Sequence, residues 1–151
     1  MINVVTFDLD DTLWDVSPVI KQANQTLYRW LDKQAPAFTE RYQLKDFDHL
    51  RDRIVERHPE WAHSVTAIRL GVLREGLSGC GYHGNELETL VNQAFDCFLK
   101  ARNQVEFFQH AVEMIQQLHS HYQLGALSNG NADISMVGLE NYFDFSFNAD
   151  Q

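Results

Sequence analysis

Two carboxylates, Asp8 and Asp10, stand either side of Leu9 where an apolar run from Ile2 to Phe7 stops, and Thr12 adds a hydroxyl just beyond them. In an extended chain, residues two apart point the same way about 6.5 Å apart, so this pair can flank one phosphoryl group. One carboxylate could attack phosphorus while the other gives a proton to the departing oxygen. Two like charges this close need a cation or a proton between them. Magnesium suits the role because it takes carboxylate, carbonyl, water and phosphate oxygens. Aspartate-rich turns after strands also serve as helix caps or solvated loops, so the pair acquires catalytic meaning only with a second element.

The second element is Leu124-Gly125-Ala126-Leu127-Ser128-Asn129-Gly130-Asn131, an apolar strand that ends in a small hydroxyl residue and a tight turn. A helix is expected to follow from Asn131 or Ala132. In a parallel sheet, ligands collect at the carboxyl ends of strands, where loops and helix starts offer unpaired N–H groups to anions. Ser128 would then sit level with Asp8. Its hydroxyl and the N–H of Asn129 could hold a phosphate oxygen during attack.

Phe7-Asp8-Leu9-Asp10-Asp11-Thr12-Leu13 resembles the first motif of the haloacid dehalogenase-like hydrolases, mostly aspartate-nucleophile phosphatases, and Leu127-Ser128-Asn129-Gly130 resembles their second. The resemblance implies that Asp8 becomes an aspartyl phosphate and that Asp10 is general acid, then base for water. It also implies Mg2+ held by the Asp8 side chain and the Asp10 main-chain carbonyl, with Ser128 on phosphate and Thr12 in support. Dehalogenases of the family lack the second carboxylate, since a halide leaves without a proton, so Asp10 favours phosphatase over 2-haloacid dehalogenase. The run from Ser128 to Phe145 is similar to a bacterial branch that includes a flavin-pathway phosphatase of 5-amino-6-(5-phospho-D-ribitylamino)uracil. By that likeness the substrate is a small phosphorylated metabolite: a sugar phosphate, a nucleotide or a flavin precursor.

The family's third motif, a lysine, and its fourth, an acidic pair, do not appear before Gln151. The resemblance therefore implies the amino-terminal part of a longer enzyme, and these 151 residues alone are not expected to turn over. The rival reading is a noncatalytic fragment or interaction module. By analogy the first strand is central, and with nothing after Gln151 its edge would need cover, for instance in a homodimer.

The elements that must position these residues follow from hydrophobic spacing. Strands are expected at Ile2 to Phe7, Gln123 to Leu127 and Phe145 to Phe147. Between the motifs, Val19 to Leu31, Phe47 to Ile54, Val65 to Leu73 and Leu87 to Phe98 carry apolar residues at three- and four-residue steps, with Pro36 and Pro59 as breaks. Four helices without a strand read as a bundle. The fold class is thus α/β, a Rossmann-like parallel core (its amino-terminal part only) with an inserted four-helix cap. The core is assigned to 1–17 and 103–151 and the cap to 18–102, with hinges at Asp15 to Pro18 and Ala101 to Glu106. Closing such a cap would exclude water and select substrate by shape. Phe108 to Tyr122 reads as an amphipathic helix feeding the second strand. Trp14 is expected as a core or hinge contact in preference to a substrate contact, and Arg69 and Arg74 as a solvated helix face.

A net charge of −9 and a pI near 5.1 speak against nucleic acid, whose electrostatic footprint is basic. No apolar run approaches the ~20 residues of a membrane span, and no secretory leader is evident, so a cytoplasmic protein is expected. Cys80 and Cys97 match no disulfide or zinc spacing and read as reduced and structural.

Overall fold

The computed structural model describes residues 2–149; Met1, Asp150 and Gln151, the outer ends of the expected core, lie outside them. Three short strands, β1 (Val4–Phe7), β2 (Gln123–Ser128) and β3 (Phe145–Asn148), form a parallel sheet in the order β1-β2-β3. Phe7 is registered with Ala126, and Ser128 with Asn148, so β1 and β2 end on the same side. β1 is an edge of these three strands, and Val4 is exposed on it.

Gly125 lets β3 approach β2. A Cβ there would fall 2.2 Å from ring atoms of Phe145. Gly125→Ala should therefore lower stability by about 1–3 kcal/mol, the usual cost of overpacking. Chemical denaturation would measure it; an unchanged midpoint would contradict the close packing.

Between β1 and β2 the chain is helical. α1 (Val16–Gln34) starts at Asp15, whose side chain accepts the Ser17 N–H at 3.0 Å, and Pro18 is tolerated in the first turn because no helical donor is lost there. Beyond it run α2 (Pro36–Arg41), α3 (Asp46–Arg57), a 3-10 turn at Pro59–Trp61, α4 (Val65–Gly79) and α5 (Gly84–Arg102). The bundle thus has a short fifth helix where four were expected. Pro36 does end α1, but at a first helical position it also starts α2, and Phe38 anchors that helix in the core.

α6 (Ala111–His119) is shorter than the expected Phe108 to Tyr122 helix. Phe108 instead donates its N–H to the Leu13 carbonyl at 2.8 Å, and His110 adopts a left-handed φ of 65° that blocks extension. The helix expected from Asn131 is also replaced, by a turn. The Asp133 side chain accepts the N–H groups of Ser135 (2.8 Å) and Met136 (3.3 Å), which caps a single turn, and Gly138, at φ 79°, ends it.

Buried apolar side chains form two clusters. One joins the helices through Leu27, Leu31, Phe38, Leu73 and Phe98. The other joins the sheet to its loops and α6 through Leu9, Trp14, Ile115, Leu124 and Phe143. Cys80 and Cys97 are free and half-buried, and burial raises both thiol pKa values, which makes them poor nucleophiles. Among the described residues no helix is long and apolar enough to cross a membrane.

Candidate active site

At the end of β1 the chain alternates: Asp8 is exposed, Leu9 is buried, and Asp10 is half-buried. Leu9 packs into the sheet cluster, which turns both carboxylates away from it. Asp8 and Asp10 both line a cavity of about 560 Å3 between the sheet end and the helical bundle. The Asp8 carboxylate makes no hydrogen bond or ion pair among the described residues, so it is open to a ligand.

Asp10 is held on both oxygens. The Trp14 indole N–H donates to Oδ1 at 2.8 Å, and Arg102 Nη2 donates to Oδ2 at 2.5 Å. Trp14 is fully buried, edge-on to Phe107, and is not on the cavity wall. It is a core residue, as expected, with the added task of fixing Asp10. Arg102, at the end of α5, is 1% exposed and lines the cavity. Its Nε donates to Asn131 Oδ1 at 2.9 Å, while its buried Nη1 has no hydrogen-bond partner among the described residues. Asn131 in turn donates to Thr66 of α4 at 3.3 Å, tying the loop after β2 to the bundle.

The loop after β2 brings the second motif to the first. A Cβ on Gly130 would lie 2.5 Å from Asp10 Oδ2 and 3.5 Å from Ser128 Oγ, so both side chains crowd one point. Only glycine leaves room for the Asp10–Arg102 pair there. Ser128 Oγ accepts the Gly130 N–H at 3.1 Å, which leaves its own O–H proton free to donate. Asn129 is exposed on the cavity wall. Thr12 is exposed in the turn and does not line the cavity; its backbone N–H donates to the Leu9 carbonyl at 3.2 Å. Asp11 makes that turn tight, with φ at 57° and its side chain accepting the Val16 N–H at 2.9 Å.

On the opposite wall the bundle presents Ile20, Asn24, Ile68, Arg69 and Phe98. The two arginines expected on a solvated face part company. Arg74 does form an exposed bidentate pair with Glu88, at 2.9 and 2.8 Å. Arg69 instead points inward, donating to Asn24 Oδ1 at 2.8 Å with its guanidinium 4.0 Å from the centre of the Phe98 ring.

Magnesium can be tested against these donors. Among the described residues no three His, Cys, Asp or Glu side chains converge as a metal cage. Magnesium, however, commonly uses one or two carboxylates and completes its shell with phosphate and water. The unpaired Asp8 carboxylate fits that requirement, whereas the Asp10 carboxylate is engaged with Arg102 and Trp14.

Sequence reasoning missed Arg102, and it named Gly130 and Asn131 as part of the second motif's turn without giving them a part in the site. One signal was available: Val91, Ala94 and Phe98 mark the buried stripe of α5, and Arg102 continues it four residues on. A cation on an apolar stripe calls for a buried partner.

The comparisons with known proteins agree with this geometry. The family model for haloacid dehalogenase-like hydrolase matches residues 2–151. The 5-amino-6-(5-phospho-D-ribitylamino)uracil phosphatase YigB of Escherichia coli (strain K12) is 32% identical over 148 residues, 98% of this chain and 62% of its own length. The crystal structure of a 2-haloacid dehalogenase from Pseudomonas syringae pv. Tomato DC3000 superposes with a TM-score of 0.90 at 37% identity, covering 99% of this chain and 65% of that one. The HAD-hydrolase YfnB of Bacillus subtilis shares the fold at a TM-score of 0.58 and 15% identity, over 99% of this chain and 66% of its own. The chain thus spans slightly less than two thirds of the length of these relatives.

Proposed function

Because the chain belongs to the haloacid dehalogenase-like hydrolases, we propose that it supplies the nucleophile and the general acid of a magnesium-dependent phosphatase acting on a small phosphorylated metabolite in the cytoplasm. The observation that carries this reading is the immobilised Asp10, whose carboxylate is fixed by Arg102 and Trp14 beside an open Asp8. In the proposed reaction an Asp8 oxygen attacks phosphorus and the bond from phosphorus to the ester oxygen breaks. The leaving oxygen takes a proton from Asp10, which must enter this step as the carboxylic acid, with the oxygen that carries the proton released from Trp14 or Arg102. Asp10 then removes a proton from water, whose oxygen attacks the aspartyl phosphate, releasing phosphate and restoring Asp8. Ser128 and the Asn129 N–H would hold a phosphate oxygen throughout. Magnesium would be held by the Asp8 carboxylate and the Asp10 carbonyl, and it would offset the negative charge gathered there.

The assignment of 1–17 and 103–151 as core and 18–102 as cap belongs to the same proposal. It is supported by the two separate apolar clusters, with the cavity lying between them. The test is chemical: the full-length protein, quenched during turnover of an aryl phosphate and reduced with borohydride, should carry a homoserine at position 8, read by peptide mass spectrometry. Turnover without any modification at that position would refute the aspartyl-phosphate route.

A second reading has one observation in its favour, the 37% identity to a 2-haloacid dehalogenase. There the Asp8 carboxylate would attack carbon and expel halide. Halide needs no proton, so the fixation of Asp10 by two donors would serve no step, and the phosphatase reading is preferred. Chloride release from 2-chloropropionate would reverse that preference.

A further inference from the structure

Three arginines line the cavity, and they differ in what offsets their charge. Arg102 is paired with Asp10, and Arg51 lies near Asp52 at 3.6 Å in exposed positions. Arg69 forms no ion pair among the described residues; its partners are a neutral amide oxygen on Asn24 and the face of Phe98. Burial lowers its pKa to about 10, with Arg51 pushing the same way and Asp48 opposing, so the group is still a cation at neutral pH. An inward cation with no carboxylate in contact is costly unless a ligand brings one. The amide of Asn24 occupies only Nη1, which leaves further guanidinium donors.

We infer that the Arg69 wall is a subsite for a second oxyanion on the leaving group, so that the preferred substrate is a phosphomonoester that also carries a carboxylate or another phosphate. This deepens the phosphatase proposal and rests on it: Asp8 and Arg69 line one cavity from opposite sides, so a single ligand can meet both. Asn24 orients the guanidinium, and Phe98 keeps it flat against the wall. Ile68 and Val72, on the same wall, bury the carbon chain between the two anionic ends.

The test uses unreactive probes, so it does not depend on turnover. A series of ω-phosphonocarboxylates with one to five methylenes is titrated calorimetrically into the full-length protein with magnesium present, alongside alkylphosphonates of matched length. A parallel α,ω-diphosphonate series distinguishes a carboxylate from a second phosphate. The best doubly anionic probe should bind about tenfold or more tightly than its singly anionic match, as expected for one charged hydrogen-bonded contact. Arg69→Met should bring that ratio close to one. Asn24→Asp, which sets a built-in carboxylate against Arg69 without removing the stacked guanidinium, should collapse the same ratio and covers the case in which Arg69→Met fails to fold. Equal binding of matched probes to the unaltered protein, or an advantage that survives both substitutions, would overturn the subsite while phosphonate binding upheld the phosphatase reading. Failure of every phosphonate to bind would overturn both.

Discussion

Asp8→Asn is expected to lower phosphatase turnover of the full-length protein by roughly four orders of magnitude or more, as loss of a covalent nucleophile commonly does, while leaving stability within about 0.5 kcal/mol. The two halves of this result come from one observation. The Asp8 carboxylate is exposed and has no hydrogen bond or ion pair among the described residues, so nothing in the fold depends on its charge. Asn has the same shape, but its amide oxygen is a far weaker nucleophile. Asp8→Glu keeps the charge and moves the oxygen outward by one methylene; a misplacement of about 1 Å costs on the order of 100-fold, so this variant should also be nearly inactive. Kinetics on an aryl phosphate, with thermal denaturation of each variant, gives both readings. A turnover drop below tenfold for Asp8→Asn would remove Asp8 from the reaction.

How much of this site could be read from the sequence depended on whether a signal was local. Asp8, Asp10 and Ser128 announce themselves because each ends an apolar strand, and strand ends in a parallel sheet are places where ligands gather. Their supports are not local. Arg102 lies 92 residues from Asp10 along the chain, and no periodicity relates the two. Asn131 meets Thr66 across 65 residues, and the crowding of Gly130 against Asp10 exists only once both loops are folded. The helices show the same division. The long amphipathic stretches of α1 and α5 were legible, since repetition over many turns leaves little ambiguity. α2 was missed because a proline that stops one helix also opens the next, and the helix after Asn131 is cut to a single turn that Asp133 starts and Gly138, at φ 79°, ends. Arg69 and Arg74 show the limit most plainly. Five residues apart on α4, they project differently, and only packing decides that one meets Asn24 inside and the other Glu88 in solvent.

Asp10→Ala is expected to destabilise the protein by about 3 kcal/mol, at the low end for breaking a buried ion pair, and to lower its melting temperature by about 6–12 °C for a chain of this size. The reason lies in the asymmetry of the pair: the Arg102 side chain is 1% exposed and that of Asp10 is 14%. Removing Asp10 strands a buried guanidinium whose Nη1 already lacks a partner among the described residues, and it also leaves the Trp14 indole N–H without its acceptor. Arg102→Met does less damage, since the carboxylate it leaves behind borders the cavity and can be hydrated. The double variant should then be more stable than Asp10→Ala alone, because the stranded charge is gone. Asp10→Asn should lose somewhat less, for its amide oxygen still accepts from one of the two donors although Arg102 again lacks a counter-charge, and it should lose the proton transfer on which turnover depends. Melting curves for the four variants, set beside their turnover, would show whether Asp10 is both structural keystone and general acid; a double variant no more stable than Asp10→Ala would rule out the stranded-cation explanation.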